Sequence, residues 1–202
     1  MQRSKSQLVL DLARKSGVIR ARDITGLGIP TEYLRRLHRR GLLVRVGRGL
    51  YMLPRVGVTA QHSLAQVSKK IPNGVICLLS ALQFHQLGTQ APSEVWVALD
   101  RKARPPRADS QALRLVRMSG EVLAAGVQEH RIEKVPVRIY GPAKTVADCF
   151  KYRNKIGMDI ALEALRDYRR RYPRGTEDLW RYAHVCRVTH VMRPYLEALA
   201  EK

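Results

Sequence analysis

The stretch "LRRLHRRGLLVRVGRGLYML", Leu34 to Leu53, holds six arginines, one histidine and no acid, among Leu, Val, Met and Tyr side chains that call for burial. Burial and charge are compatible if they occupy different faces. Successive residues of an α-helix step by about 100°. With Leu34 at zero, Leu37 falls beside it and marks the buried side, while Glu32, Arg36 and Arg39 cluster opposite. Arg35 and Arg40 flank that cluster, and Tyr33 lies at a boundary. His38 falls close to Leu34 and reads as a packed structural histidine. Gly41 suits the end of this helix. Beyond it, "LLVRV" (42–46) and "LYML" (50–53) read as two strands joined by Gly47-Arg48-Gly49, where glycine suits the positive φ of a hairpin turn. Leu42, Val44 and Val46 are the candidates for the inward side of the first strand, with Arg45 on the other side and Arg48 at the turn.

Upstream, Leu8, Val9, Leu12 and Ala13 give residues 5–15 an amphipathic helical pattern, with Ser4 as a start and Ser16-Gly17 as a stop. Residues 21–25 fit a second, short helix with Ala21, Ile24 and Leu27 inward, and "GLGIP" breaks it. The third helix starts near Pro30-Thr31. Three helices followed by a hairpin is the order of a winged helix-turn-helix, whose recognition helix lies in the major groove of DNA.

Composition points the same way. Lys and Arg number 37 against 17 Asp and Glu, a formal net charge of +20. Such a field attracts polyanions, nucleic acid first and an anionic membrane surface second. Residues 1–54 carry twelve basic residues against three acidic ones, a net of +9 in about a quarter of the chain. Solvated helix faces ordinarily mix signs; this one has a single acid, which favours a nucleic-acid surface. Arg pairs bidentately with guanine. Glu32 has two readings, as an acceptor for cytosine N4 or as a partner orienting Arg36. No apolar run is long enough for a membrane helix, and the N-terminus lacks the pattern of a signal peptide. Cys77, Cys149 and Cys186 are odd in number and far apart, which suits a reduced, cytoplasmic setting.

The remainder, residues 55–202, carries a net charge of +11. A helix is expected at about 61–70, a short apolar run entering a helix within 73–88, and strands at 94–100, 113–118 and 135–140. "RKARPPRADSQ" (101–111) reads as a loop. Helices follow at about 143–153 behind Pro142, 157–171, 176–186 and 193–201. Strands first and helices last make an α+β arrangement. The whole is an α+β chain: a winged helix-turn-helix domain over residues 1–56 and a mixed α/β C-terminal domain over 57–202.

Signs of catalysis are sparse. Asp100-Arg101-Lys102 is a D-x-K fragment of the metal-dependent nuclease pattern, but Glu94 is the nearest upstream acid and no second ligand stands out. His184, Cys186 and His190 match no zinc-finger spacing. Cys149 lies on an apolar helix face and reads as core. No phosphate-binding glycine loop or nucleophile elbow occurs. No enzyme activity, metal or cofactor is therefore expected. Lys151, Arg153 and Lys155, and then Arg166, Arg169, Arg170 and Arg171, form basic clusters near helix C-termini. The helix macrodipole favours cations there, and binding of a partner or of nucleic acid is the other reading.

"SGVIRARDITGLGIPTEYLRRLHRRGLLVRVGRGLYML" resembles the N-terminal winged-helix domain of AbiEi-type antitoxins from type IV toxin–antitoxin systems. "LLSALQFHQLGTQAPSEVWVALDRKARPP" and "VRIYGPAKTVADCFKYRNKIGMDIALEALRDYRRR" are similar to the second domain of that family. The resemblance implies a prokaryotic, cytoplasmic autorepressor that binds inverted repeats in its own promoter. It also implies an antagonist of a cognate AbiEii-type nucleotidyltransferase toxin, with the second domain involved. It places the DNA-binding role on Thr31, Glu32, Tyr33, Arg35, Arg36, Arg39 and Arg40, and on Arg45 and Arg48 of the hairpin. A stand-alone repressor, a nuclease using Asp100 and Lys102, and an RNA-binding protein are the alternatives.

Overall fold

The computed structural model describes residues 4–54, 61–105 and 113–200, with side chains as far as 198. The domain boundary expected at 56/57, the far half of the 101–111 loop and the end of the last helix at 201 lie outside the described residues. The chain divides into two compact units, the first reaching residue 73 and including 130–137, the second holding most of the rest from 74.

The first unit runs α1 (Lys5–Ser16), β1 (Ile19–Arg20), α2 (Ala21–Thr25), α3 (Glu32–Arg39), β2 (Val44–Gly47), β3 (Leu50–Met52) and α4 (His62–Lys70). Ser4 Oγ accepts from Gln7 N at 3.2 Å, capping α1. Gly17 ends it at φ +68°, and a Cβ there would stand 1.9 Å from the Glu133 carbonyl oxygen. Both the backbone angle and the close approach require glycine. Val9 and Ala13 of α1 join Ile19, Ile24, Ile29, Leu34, Leu37, Leu43 and Tyr51 in one core. Leu8, grouped in the sequence pattern with the apolar face, is instead 40% exposed. Each fully buried Leu or Ile contributes about 1.5–3 kcal/mol, so Leu34 and Leu37 fix which face α3 turns outward.

β3 is the centre of a three-stranded antiparallel sheet ordered β1-β3-β2, with Ile19 opposite Tyr51 on one side and Arg45 opposite Tyr51 on the other. Strand β1 has only two residues and carries no periodicity. Three expected core positions shift. Leu27 is 60% exposed, because Leu27 N and Gly28 N bond back to Ile24 and Thr25 and the reversal delivers Ile29 to the core. On the first hairpin strand, Leu42 and Val44 are exposed and Leu43 is buried. Gly41, at φ +67°, extends the end of α3 into a turn in which the N–H groups of both Leu42 and Leu43 bond to Leu37 O. The strand therefore begins at Val44, out of phase with a strand begun at Leu42. In the hairpin turn the positive φ falls on Gly49 and not on Gly47.

At the start of α2, Arg20 N donates to Asp23 Oδ2 at 2.8 Å. Burial pushes the Asp23 carboxyl up, but this bond and the charges of Arg20 and Lys69 outweigh it and hold it below its ordinary value.

The second unit contains β4 (Val75–Ile76), α5 (Leu78–His85), β5 (Val95–Asp100), β6 (Leu113–Met118) and α6 (Gly120–Ala124). Then come β7 (Val127–Ile132), β8 (Val135–Tyr140), α7 (Pro142–Lys151), α8 (Arg153–Ile156), α9 (Met158–Arg171), α10 (Thr176–Val185) and α11 (Thr189–Ala200). The hairpin tip 130–137 is counted with the first unit. The sheet order is β6-β5-β4-β8-β7, with β5 and β6 parallel. This is the expected α+β class. Helix α11 starts four residues earlier than the sequence pattern suggested, which leaves Pro194 inside it.

α7 is the central helix, and eight consecutive residues from Ala143 to Phe150 are buried. It carries a fully buried ion pair: Lys144 Nζ donates to Asp148 Oδ1 and Oδ2 at 2.7 and 2.6 Å. Cys186 Sγ donates to Asp148 Oδ1 at 3.2 Å, and the Lys144 ammonium lies 4.1 Å from the Tyr140 ring centroid. Burial raises the Asp148 carboxyl above its ordinary value, with Lys144 opposing.

Candidate nucleic-acid interface

Helix α3 is eight residues long, with Leu34 and Leu37 as its buried residues. Its other positions are set by that anchorage. Thr31 precedes the helix, exposed and with no side-chain cap bond. Glu32 does not orient Arg36. It pairs with Arg39 Nη2 at 3.0 Å and with Arg35 Nη1 at 3.7 Å, all three side chains being more than half exposed. Arg36 turns the other way and stacks its guanidinium 4.3 Å from the Tyr33 ring centroid. The wheel allows Glu32 all three arginine partners; side-chain rotamers and the competing Tyr33 face decide among them. An exposed cation–π contact contributes about 0.5–1 kcal/mol, enough to bias a long side chain toward one position.

Between α3 and the hairpin lies a cleft of about 530 Å³, lined by Thr31, Arg35, His38, Arg39 and Arg45, with Gly49 and Tyr51 on the hairpin side. Arg45 Nε donates to Gly47 O at 3.2 Å, which aligns it along the strand. Arg48 is exposed at the turn, and Arg40 is exposed at the end of α3. The cleft thus unites Thr31, Arg35, Arg39 and Arg45. Tyr33 and Arg36, together with Arg40 and Arg48, lie outside its lining.

The helical wheel makes His38 a packed residue, and the structure agrees only in part. Its Nδ1 lies 3.0 Å from Leu43 O and its ring meets Tyr51 edge-on at 6.1 Å, so it braces the helix against the hairpin. Yet it remains exposed and lines the cleft. Its place near Leu34 on the wheel concealed this, because the backbone leaves α3 within three residues and opens that side.

In the second unit the basic clusters separate. Lys151 Nζ donates to Cys186 O at 3.1 Å, Arg153 Nη1 to Phe150 O at 2.9 Å, and Arg171 Nη1 to His85 O at 2.5 Å. Arg169 bonds Thr176 Oγ1, and Arg170 pairs with Asp167 at 2.7 Å. These are ties within the unit, the structural alternative for those positions. Lys155 sits 5.8 Å from the Tyr152 ring centroid, and Arg166 is exposed.

The D-x-K fragment is a turn: Asp100 Oδ1 accepts from Lys102 N at 2.8 Å, and Arg117 ties Asp100 O to Ala103 O. Among the described residues, no group of three or more His, Cys, Asp or Glu converges as metal ligands. Cys186 is buried on Asp148, while His184 and His190 are exposed. No described helix is long and apolar enough to cross a membrane.

The crystal structure of the Rv2827c protein from Mycobacterium tuberculosis is similar in fold, with a TM-score of 0.52 at 15% identity over 93% of this chain and 78% of that one. No curated protein matches the chain. Residues 7–54 match the family described as "Transcriptional regulator, AbiEi antitoxin". That span takes in α1 through the hairpin, including every residue of the cleft between α3 and the hairpin. The match covers about a quarter of the chain, and it is this N-terminal segment that is similar to the AbiEi antitoxin family of transcriptional regulators.

Proposed function

We propose that this protein is an antitoxin of a type IV toxin–antitoxin system that represses its own promoter by binding inverted repeats as double-stranded DNA. In this reading residues 1–56 form the DNA-binding domain. Helix α3 enters the major groove, and the hairpin rests on the adjacent backbone. Residues 57–202 form the domain that counteracts a cognate nucleotidyltransferase toxin in the cytoplasm. The protein acts by binding and not by catalysis.

The observation that carries the reading is the cleft in which Arg35, Arg39 and Arg45 converge from a helix and a hairpin, with Glu32 the acid beside them. Arginines carried by two different elements suit a duplex. One set reaches base edges, where a bidentate pair with guanine discriminates by about 1–3 kcal/mol. The other set neutralises phosphates and fixes register. Fixing Arg35 and Arg39 through Glu32 reduces the rotamer freedom lost on binding.

The test is a gel shift on the chain's own promoter, with random DNA and transfer RNA as competitors. Promoter DNA is expected to compete best, and Arg35→Ala with Arg39→Ala is expected to abolish the shift while leaving the thermal transition unchanged. Equal competition by transfer RNA would instead make this an RNA-binding protein. Co-expression with the cognate nucleotidyltransferase toxin that this reading requires tests the second role: growth is expected to be restored by the wild-type chain, and failure to restore it refutes antitoxin activity.

A further inference from the structure

We propose that the second unit contains a phosphate-binding pocket for a free nucleoside di- or triphosphate, formed by Arg101, Ser119, Lys151, His184 and Arg187. The pocket has a volume of about 620 Å³, within the range of small-molecule sites. Glu121 and the apolar side chains of Val122 and Val185 complete its described lining, together with Gly120.

Its position in the sheet is the first argument. β5 and β6 are parallel, with Asp100 opposite Met118 in register. Arg101 and Ser119 are the residues immediately after those two strand ends, and Arg101 N donates to Met118 O at 3.1 Å. Ligands of sheets with parallel strands gather outside the carboxyl ends of those strands.

The opposite wall comes from the last turn of α7 and the end of α10. Lys151 Nζ uses one of its three donors on Cys186 O, which fixes the ammonium at the pocket and leaves two donors. The end of α10 is a Schellman turn: Arg187 N bonds His184 O at 2.9 Å and Val188 N bonds Ala183 O at 2.8 Å. The residue at the left-handed position of such a turn is usually glycine. Here it is Arg187, at φ +58°, and this residue lines the pocket.

Charge supplies the third argument. Two helix C-termini contribute roughly half a negative charge each, and Glu121 contributes one more. Arg101, Lys151 and Arg187 exceed that sum before His184 is counted. Among the described residues no ion pair engages Arg101, Arg187 or Glu121. Cations that merely complemented helix dipoles would leave no surplus. A surplus converging in a pocket of nucleotide size favours a polyphosphate over a single small anion. With no aromatic residue in the described lining, recognition rests on the phosphates and is indifferent to the base.

The proposal does not depend on the promoter-binding role, and the test keeps the two apart. Calorimetric titration of the full chain uses ADP, pyrophosphate, adenosine and a short single-stranded oligonucleotide. ADP and pyrophosphate are expected to bind, and adenosine is not. Arg101→Ala with Arg187→Ala is expected to weaken ADP at least tenfold with an unchanged thermal transition, and Arg35→Ala with Arg39→Ala to leave ADP binding intact. Binding of the oligonucleotide alone overturns the proposal in favour of an extended nucleic-acid surface. So does adenosine binding as well as ADP, absence of ADP binding, or ADP binding that follows the Arg35 and Arg39 pair.

Discussion

Glu32 is the residue on which the interface turns, because it partners two of the arginines that line the cleft. In the proposed DNA complex its carboxylate would lie where phosphates approach, so it would trade affinity for order. Glu32→Ala is therefore expected to raise affinity for random DNA a few-fold and to shrink the preference for promoter DNA, measured as the ratio of the two dissociation constants. An unchanged ratio would show that the pairs do not organise recognition. The same scale governs the Lys144–Asp148 pair, which has no exposed surface at all. Removing one partner of such a pair costs about 3–5 kcal/mol, whereas replacing both by apolar groups is close to neutral. Asp148→Ala is expected to lower the urea midpoint sharply, and Lys144→Met with Asp148→Leu to restore most of it. At this scale the sequence placed the arginines on the outer face correctly in kind, since Leu34 and Leu37 are the buried pair. The pairing was not legible: Arg35, Arg36 and Arg39 stand three, four and seven residues from Glu32, spacings that all bring side chains together on a helix.

Elements whose patterns are long were readable, and those whose patterns are short were not. α3 and α7 announce themselves by apolar spacing, and Pro142 marks the start of α7, where a missing N–H costs nothing. β1 is two residues long, and β7 reads "VQEHRI", polar along most of its length and largely exposed, so neither offers an alternation to detect. The hairpin is legible in the sequence but its phase is not, because the turn at Gly41 consumes two residues before the ladder begins. That phase has a direct test. Leu43→Ala is expected to cost about 2–5 kcal/mol by opening a cavity, while Leu42→Ala and Val44→Ala stay within about 0.5 kcal/mol, read from urea unfolding. The cap of α2 gives a pH signature. The folded Asp23 carboxyl is held below its unfolded value, so its contribution is complete above about pH 4, the unfolded carboxylate range. It is lost as pH falls through the folded value. Asp23→Asn is expected to be less stable than wild type at pH 7, and the gap to close in acid. A gap that persists there assigns the loss to the cap bond and not to the charge.

In the proposed DNA-binding role the charge of the whole molecule, +20 over 202 residues, sets how fast the protein finds DNA, but it does not set how strongly salt competes. That depends on the number of phosphates neutralised, each contributing about 0.9 to the slope of log affinity against log salt. The net charge includes Arg153, Arg169 and Arg171, which are tied to Phe150, Thr176 and His85 within the second unit. It also includes Arg101 and Arg187, which line a different cavity. The arginines on or beside the α3 cleft are few: Arg35, Arg36, Arg39, Arg40, Arg45 and Arg48. A single copy is thus expected to show a slope of roughly −3 to −5, and two copies on an inverted repeat about twice that. Arg45→Ala with Arg48→Ala is expected to flatten the slope by about two per copy if both hairpin arginines meet phosphates. Arg101→Ala with Arg187→Ala is expected to leave it unchanged, although both double variants remove the same two charges. Titrating promoter binding across sodium chloride concentrations separates the alternatives: equal flattening by the two pairs would mean that the diffuse field, and not the α3 cleft, holds the DNA.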